Sequence, residues 1–260
     1  MDSLYETILY KVKNKVAYLT LNRPDSLNAF NEIMNKEIVQ ALKIAEKDPS
    51  VRALVIQGAG RAFCSGEDLK SLDKNIDLGE IIKKRYTPML KQIASFSKPI
   101  IASVNGVAAG AGFSLALACD FRIVSDKATF IQAFINIGLV PDTGNLFYLP
   151  KLVGTAKAIE LSILGEKITA GDAEKYGLVT KVVPFDELES ETENFAEKLA
   201  NKPTKAIELI KNLIRKSYET RLDEFLEYEA YSQKIAGSTE DFKEGVQSFV
   251  EKRKPVFQGR

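Results

Sequence analysis

The chain contains no histidine. That removes Ser-His and Cys-His nucleophile pairs, and it removes imidazole as a metal ligand or general base. Cysteine is scarce as well. Cys64 and Cys119 are too few for a zinc cage or a disulfide framework and point to a reduced, cytoplasmic setting. Neither sign of charge is in excess: 36 Lys and Arg stand against 35 Asp and Glu, for a formal net charge of +1. No global field draws in nucleic acid, so any anion binding is local. The N-terminal run MDSLYETILYKVKNK lacks the apolar core of a signal peptide. One long uncharged run exists, PIIASVNGVAAGAGFSLALAC at 99–119, and its length would suffice to cross a bilayer. Its Asn-Gly turn and the glycines at 106, 110 and 112 instead break it into strand, turn and helix, so no membrane role is expected. Proton chemistry in this chain falls to Asp, Glu, Lys, Tyr or Cys.

What is present is ordinary for a globular protein: 260 residues, 45% hydrophobic and 27% charged, enough for a sizeable core. The first half alternates strand-like and helix-like segments. VAYLTLN (16–22) alternates as a strand. Residues 28–48 carry Ile33, Ile38, Leu42 and Ala45 at helical spacing and stop at Asp48-Pro49. RALVIQG (52–58) is a short β-rich run, and residues 76–97 read as a helix with a weak point at Pro88. AGFSLALACD (111–120) reads as an apolar helix, and FRIVSD, ATFIQ and INIGLVP are short apolar runs between turns. Such alternation predicts an α/β core of repeated units. After about residue 190 four amphipathic helices follow, with Leu209, Leu213, Phe225, Phe242 and Phe249 as apolar stripes and a capping-box pattern at Ser238 and Asp241. The expected division is a core over 1–195 and a helical region over 196–260, which forms a lid, joins copies of the chain, or only covers the core.

Two glycine-rich turns stand out. GAGRAFCSGEDL (58–69) follows a strand but has Phe63 where a dinucleotide fingerprint needs its third glycine. In NGVAAGAGFSLALACD (105–120), a helix beginning near Ala111 points free N–H groups at whatever precedes it. Two backbone donors aimed at one point make an oxyanion hole, which stabilises an enolate without histidine. Close helix–strand packing through small residues accounts for the same glycines.

Taken together, NRPDSLNAF, GAGRAFCSGEDL, KPIIASVNGVAAGAGFSLALACDFRI, GLVPDTGNLFYLPKLVG, ILGEKITAGDAEKYGLVTKVV and DFKEGVQSFVEKRKPVF resemble the enoyl-CoA hydratase/isomerase (crotonase) family, in order and over essentially the whole chain. The resemblance implies a spiral of ββα units, with C-terminal helices that build a homotrimer or a dimer of trimers. It implies an acyl-CoA thioester substrate, with coenzyme A part of that substrate and no separate cofactor or metal. It implies an oxyanion hole from the N–H groups of Glu67 and Ala111. Coenzyme A would lie along Arg23, Ser26, Leu27, Ala62, Ser65, Gly66, Asp68 and Leu69, with Arg23 and Lys252 as candidates for the 3′-phosphate. The substrate pocket would include Gly110, Ser114, Phe134 and Val140.

Departures from the family pattern narrow the chemistry. Hydratases of the family carry two glutamates that handle water; here Ser114 and Phe134 stand at those places. A hydroxyl and a benzyl ring cannot together activate water and protonate carbon. Asp142, in IGLVPDTGN, remains. Branches of the family that isomerise or dehalogenate carry an aspartate there, and the surrounding blocks resemble the phenylacetate-degradation branch, which isomerises epoxyphenylacetyl-CoA and moves double bonds in 3-enoyl-CoA esters. The resemblance thus implies an acyl-CoA isomerase with Asp142 as single acid/base. A residual hydratase and a non-catalytic acyl-CoA-binding homologue are the alternatives. A free aspartate has a pKa of ~3.9. Burial among Phe134, Leu139, Val140 and Phe147 would raise it, whereas a helix N-terminus at Asp142 would lower it, and Asp142 as a plain N-cap is the competing structural role. Part of the acyl pocket is expected from the stretch 70–90.

Overall fold

The computed structural model describes residues 5–71 and 77–260. Strands β1 (Ile8–Lys13) and β2 (Val16–Leu21) form an antiparallel hairpin, and helix α1 (Glu32–Lys47) follows. Three units then each supply one long and one short strand: β3 (Ala53–Gly58) with β4 (Ala62–Cys64), β5 (Ile100–Val104) with β6 (Val107–Ala109), and β7 (Phe121–Ser125) with β8 (Thr129–Ile131). Helices α2 (Leu78–Ile81) and α3 (Thr87–Ser95) follow the first unit, α4 (Ala111–Ala118) the second, and α5 (Asn145–Val153) and α6 (Thr155–Leu164) the third. The chain continues through β9 (Lys167–Thr169), α7 (Ala170–Lys175), β10 (Lys181–Val183), α8 (Leu188–Ala200), α9 (Thr204–Lys216), α10 (Leu222–Gly237) and α11 (Glu240–Val250).

The long strands make a six-stranded sheet in the order β1-β2-β3-β5-β7-β10, parallel from β2 onward. The short ones make a four-stranded sheet, β4-β6-β8-β9, in which only β9 is antiparallel. This is the expected α/β spiral of ββα units. Side chains alternate along a strand, so the large sheet feeds two cores. Ala17, Leu19, Leu54, Ile56, Ala102 and Val104 face the main core with α1, α3, α4 and the small sheet. Val16, Tyr18, Ala53, Val55 and Ile101 face α8 through Leu188, Ala196 and Ala200. The expected division at 195/196 therefore falls inside a helix that covers the sheet.

Local details depart from the sequence reading in three places. In α1 the buried stripe is Met34, Ile38, Ala41, Leu42 and Ala45, while Ile33 is exposed. Asn31 caps this helix by accepting from Met34 N. The helix expected over 76–97 is described from Leu78, since 72–76 lie outside the described residues, and it widens into a π-turn over Ile82–Tyr86. Pro88 lacks an N–H and its ring crowds the carbonyl one turn back, which favours the looser turn. The α11 cap is Thr239, which accepts from Phe242 N, rather than Ser238; Ser238 is the C-cap of α10 and its hydroxyl donates to Ile235 O. Asp241 instead accepts from Gln258 N and Gly259 N, tying down the C-terminal residues. The short apolar run INIGLVP forms a 3-10 turn and a loop.

Candidate active site

Parallel strands deliver their C-terminal ends to one edge, and that edge is the usual place for a ligand site. In the small sheet β4, β6 and β8 are parallel neighbours. Their ends bring Ser65–Gly66–Glu67, Gly110–Ala111 and Ala133–Phe134 together around a cavity of about 110 Å³. Leu69, Leu78, Ile81, Ile82, Tyr86, Ile137, Leu139 and Asp142 complete its wall.

The peptides of Glu67 and Ala111 border this edge. Glu67 forms a parallel bridge with Phe30, in which Phe30 N donates to Gly66 O (2.7 Å) and Asp68 N donates to Phe30 O (2.9 Å). In such a bridge the flanking peptides face the partner, so the N–H of Glu67 itself turns the other way. Ala111 is the first residue of α4, and its N–H has no acceptor within the helix. The two segments meet closely. A Cβ added at Gly66, whose φ is +97°, would come 2.9 Å from Ala109 O and 3.5 Å from Ala111 N. One added at Gly112 would come 2.2 Å from Cys64 O, so a glycine is needed where α4 crosses the end of β4.

Asp142 reaches the cavity from the loop before α5. It is not an N-cap: the cap position is Gly144, in the left-handed region, with no side-chain bond to the helix. The Asp142 carboxylate accepts from Thr143 Oγ1 at 2.8 Å. Burial raises its pKa above the ordinary value; the Thr143 bond opposes this, and the nearby Glu67 charge adds to the rise. Of the side chains expected to desolvate it, Phe134 and Leu139 line the cavity. Phe147 and Val140 do not: Phe147 is 58% exposed and stacks under Lys151, and Val140 is 76% exposed in the loop that follows the left-handed Gly138.

Ser114 is also absent from the cavity wall. Its hydroxyl lies 3.2 Å from Gly110 O, one turn back, and 3.1 Å from Asp142 O, and it accepts from Asn145 Nδ2 at 3.1 Å. Gln132 Nε2 in turn donates to Asn145 Oδ1 at 2.7 Å. This buried chain fastens the Asp142 backbone to α4. Phe134 does line the cavity, with its ring 3.8 Å from where a Gly110 Cβ would stand.

The segments expected to hold coenzyme A lie side by side. Ser65 N donates to Leu27 O (3.0 Å), Ser65 Oγ to Ser26 O (3.4 Å), and Ala62 is buried beneath them. Asn28, which the sequence reading passed over, is fully buried and donates to Ala59 O and Ala62 O at 2.9 and 2.8 Å, locking the two segments together. Arg23 is engaged within the chain: its guanidinium donates to Ala29 O (2.6 Å) and pairs with Asp68 (2.9 Å). It therefore holds the 65–68 turn. Lys252 is exposed just past α11. Leu69 lines the cavity mouth. Both cysteines are free and buried, and burial pushes their thiols up to about 12, so neither is a nucleophile. Tyr86, Arg85 and Asn35 form a second group that sequence reasoning missed, because their meeting with Glu67 depends on how α1 and the π-turn pack.

The doubly layered α/β spiral thus gathers the backbone of Glu67 and Ala111 and the buried carboxylate of Asp142 around one cavity at the ends of its short parallel strands. The chain belongs to the enoyl-CoA hydratase/isomerase family, whose model matches residues 11–260. It is 40% identical to the 1,2-epoxyphenylacetyl-CoA isomerase of Escherichia coli K12 over 99% of this chain and 100% of that one. It is 38% identical to a trans-2-decenoyl-[acyl-carrier-protein] isomerase of Streptococcus mutans, over 98% and 99% of the two chains. A crystal structure of enoyl-CoA hydratase subunit I from Geobacillus kaustophilus superposes with a TM-score of 0.93, at 35% identity, covering 99% of this chain and 100% of that one.

Proposed function

We propose that the protein isomerises an acyl-CoA thioester by shuttling one proton with Asp142. The N–H groups of Glu67 and Ala111 donate to the thioester oxygen and polarise its carbonyl. Asp142 takes a proton from C2 of a 3-enoyl-CoA, and the electron pair passes into a dienolate held by the two N–H groups. The protonated Asp142 then returns its proton to C4, giving the conjugated 2-enoyl-CoA. The balance closes with one carboxylate acting first as base and then as acid, and coenzyme A enters only as part of the substrate. The opening of an epoxyphenylacetyl-CoA to its oxepin form, suggested by the Escherichia coli relative, would use the same oxyanion hole. A cytoplasmic setting and assembly into trimers accompany this reading.

The observation that carries it is a desolvated Asp142 in a cavity where Phe134 stands at one of the two places a hydratase fills with a carboxylate, while Ser114, at the other, lies behind the wall bonded to Asp142 O. Among the cavity carboxylates, Glu67 is paired with Arg85, whereas among the described residues Asp142 accepts only from the neutral Thr143. The test is mass-resolved turnover in heavy water with a 3-enoyl-CoA and, separately, crotonyl-CoA. Conversion of the 3-enoyl ester with deuterium exchange but no water uptake, lost in Asp142→Asn, is expected. Efficient addition of water to crotonyl-CoA would overturn the isomerase assignment in favour of a hydratase.

A further inference from the structure

One residue of the oxyanion-hole pair carries a charge that the reaction does not need. Glu67 sits with its side chain at the cavity, and a bare carboxylate there would repel the enolate that its own N–H is meant to hold. Its surroundings remove that conflict. Arg85 Nη2 lies 2.9 Å from Glu67 Oε1 and 3.1 Å from Oε2, straddling both oxygens. The Tyr86 hydroxyl donates to Oε2. Arg85 is itself held from behind by Asn35 Oδ1, at 3.3 and 3.2 Å from Nε and Nη2. Asn35 is on α1 and is almost fully buried, with its amide against Met89 Sδ. The Tyr86 ring is 2% exposed and meets Phe30 edge-on at 5.6 Å, and Phe30 is the residue whose backbone pins Gly66 and Asp68. The turn that presents the Glu67 N–H is thus gripped on its backbone by Phe30 and on its side chain by Tyr86 and Arg85. Burial and the Glu67 charge push the Tyr86 phenol upward, so it stays a donor.

We propose that Tyr86, Arg85 and Asn35 form a clamp of positioning residues, which holds the Glu67 peptide N–H on the thioester oxygen and neutralises the Glu67 carboxylate beside the enolate. This rests on the oxyanion-hole reading above. Neither Tyr86 nor Arg85 needs to touch substrate for the effect: one fixes direction, the other cancels charge.

The test uses acetoacetyl-CoA, a 3-oxoacyl thioester whose enolate absorbs in the near ultraviolet and needs no turnover. The full-length wild type should bind it and show an enolate band. Tyr86→Phe should weaken the band and lower kcat by at least ~10-fold with a change in KM under about twofold, short of the ~10²–10³ expected for losing a hole donor outright. Arg85→Met should lose more, because it leaves an unpaired carboxylate at the site. Adding Glu67→Gln to Arg85→Met should then restore a large part of the band, since the charge leaves while an amide oxygen still accepts from Tyr86. A purely structural role predicts the opposite, with the double variant no better than Arg85→Met. Bands equal to wild type in both single variants, or no recovery in the double variant, overturn the clamp. A wild type that binds acetoacetyl-CoA without any enolate band overturns the oxyanion hole beneath it.

Discussion

At the scale of single residues, Asp142 joins a cost in stability to a gain in reactivity. Its pKa is raised in the folded chain, so between the unfolded and folded values the native state holds more protons than the unfolded state. Stability from this group is therefore full below the unfolded pKa and falls as pH rises through the folded one. Asp142→Asn keeps an acceptor for Thr143 and carries no charge. It should melt no lower than wild type at pH 7, and higher if desolvation dominates, while isomerase turnover drops by about 10²–10⁴. Thermal melts beside a turnover assay check both. In wild type the acid limb of kcat/KM should lie above the ~3.9 of a free aspartate, and activity should be lost as pH falls through it. Ser114 makes a contrasting prediction. Restoring a glutamate there would push a carboxylate into the buried chain that joins Gly110, Asp142 and Asn145. Ser114→Glu should lower the melting temperature and yield no hydration of crotonyl-CoA, read by mass.

At the scale of elements, the site depends on how closely α4 starts against β4. Gly112→Ala would place a methyl group 2.2 Å from Cys64 O, so helix and strand must part. We expect a loss of roughly 1–3 kcal/mol or more by denaturant unfolding, together with reduced turnover because Ala111 moves with the helix. Gly171, which has open space around its missing Cβ, is the matched control and should tolerate alanine. The cap of α11 gives a second test. Thr239→Ala removes the acceptor for Phe242 N and should cost about 1 kcal/mol, whereas Ser238→Ala should stay within about 0.5 kcal/mol. The order of these two losses shows which residue begins the helix.

At the scale of the whole molecule, the C-terminal helices are attached but not covered. Arg52 donates to Lys202 O and Phe257 O, and Lys211 pairs with Asp120, tying this region to the sheet. Yet α9 and α10 bury no residue, and Ile210, Ile214, Leu222, Phe249 and Val250 are all more than half exposed. Apolar surface on this scale marks an interface. Sedimentation should give a multiple of the chain mass, with three copies expected, and Phe249→Arg with Val250→Glu should shift it toward the single chain. No helix among the described residues is long and apolar enough to cross a membrane.

The α/β alternation and the break of the apolar run at 99–119 into strands, turn and helix were legible in the sequence, because strand period and turn chemistry act locally, while Asp142 was singled out only through the family resemblance. The same holds for what is missing: without histidine, the candidate bases are few from the outset. Tertiary structure alone decided the rest, since it joins residues far apart in the chain. It set Ser114 behind Asp142 instead of in the cavity, turned Val140 and Phe147 outward, gave Arg23 to Asp68, and brought Arg85 and Tyr86 onto Glu67 with Asn35 behind Arg85. Spacing along a chain fixes which face a residue occupies, but the partner on that face depends on the packing of elements, and there the charges and hydrogen bonds of this site were assigned.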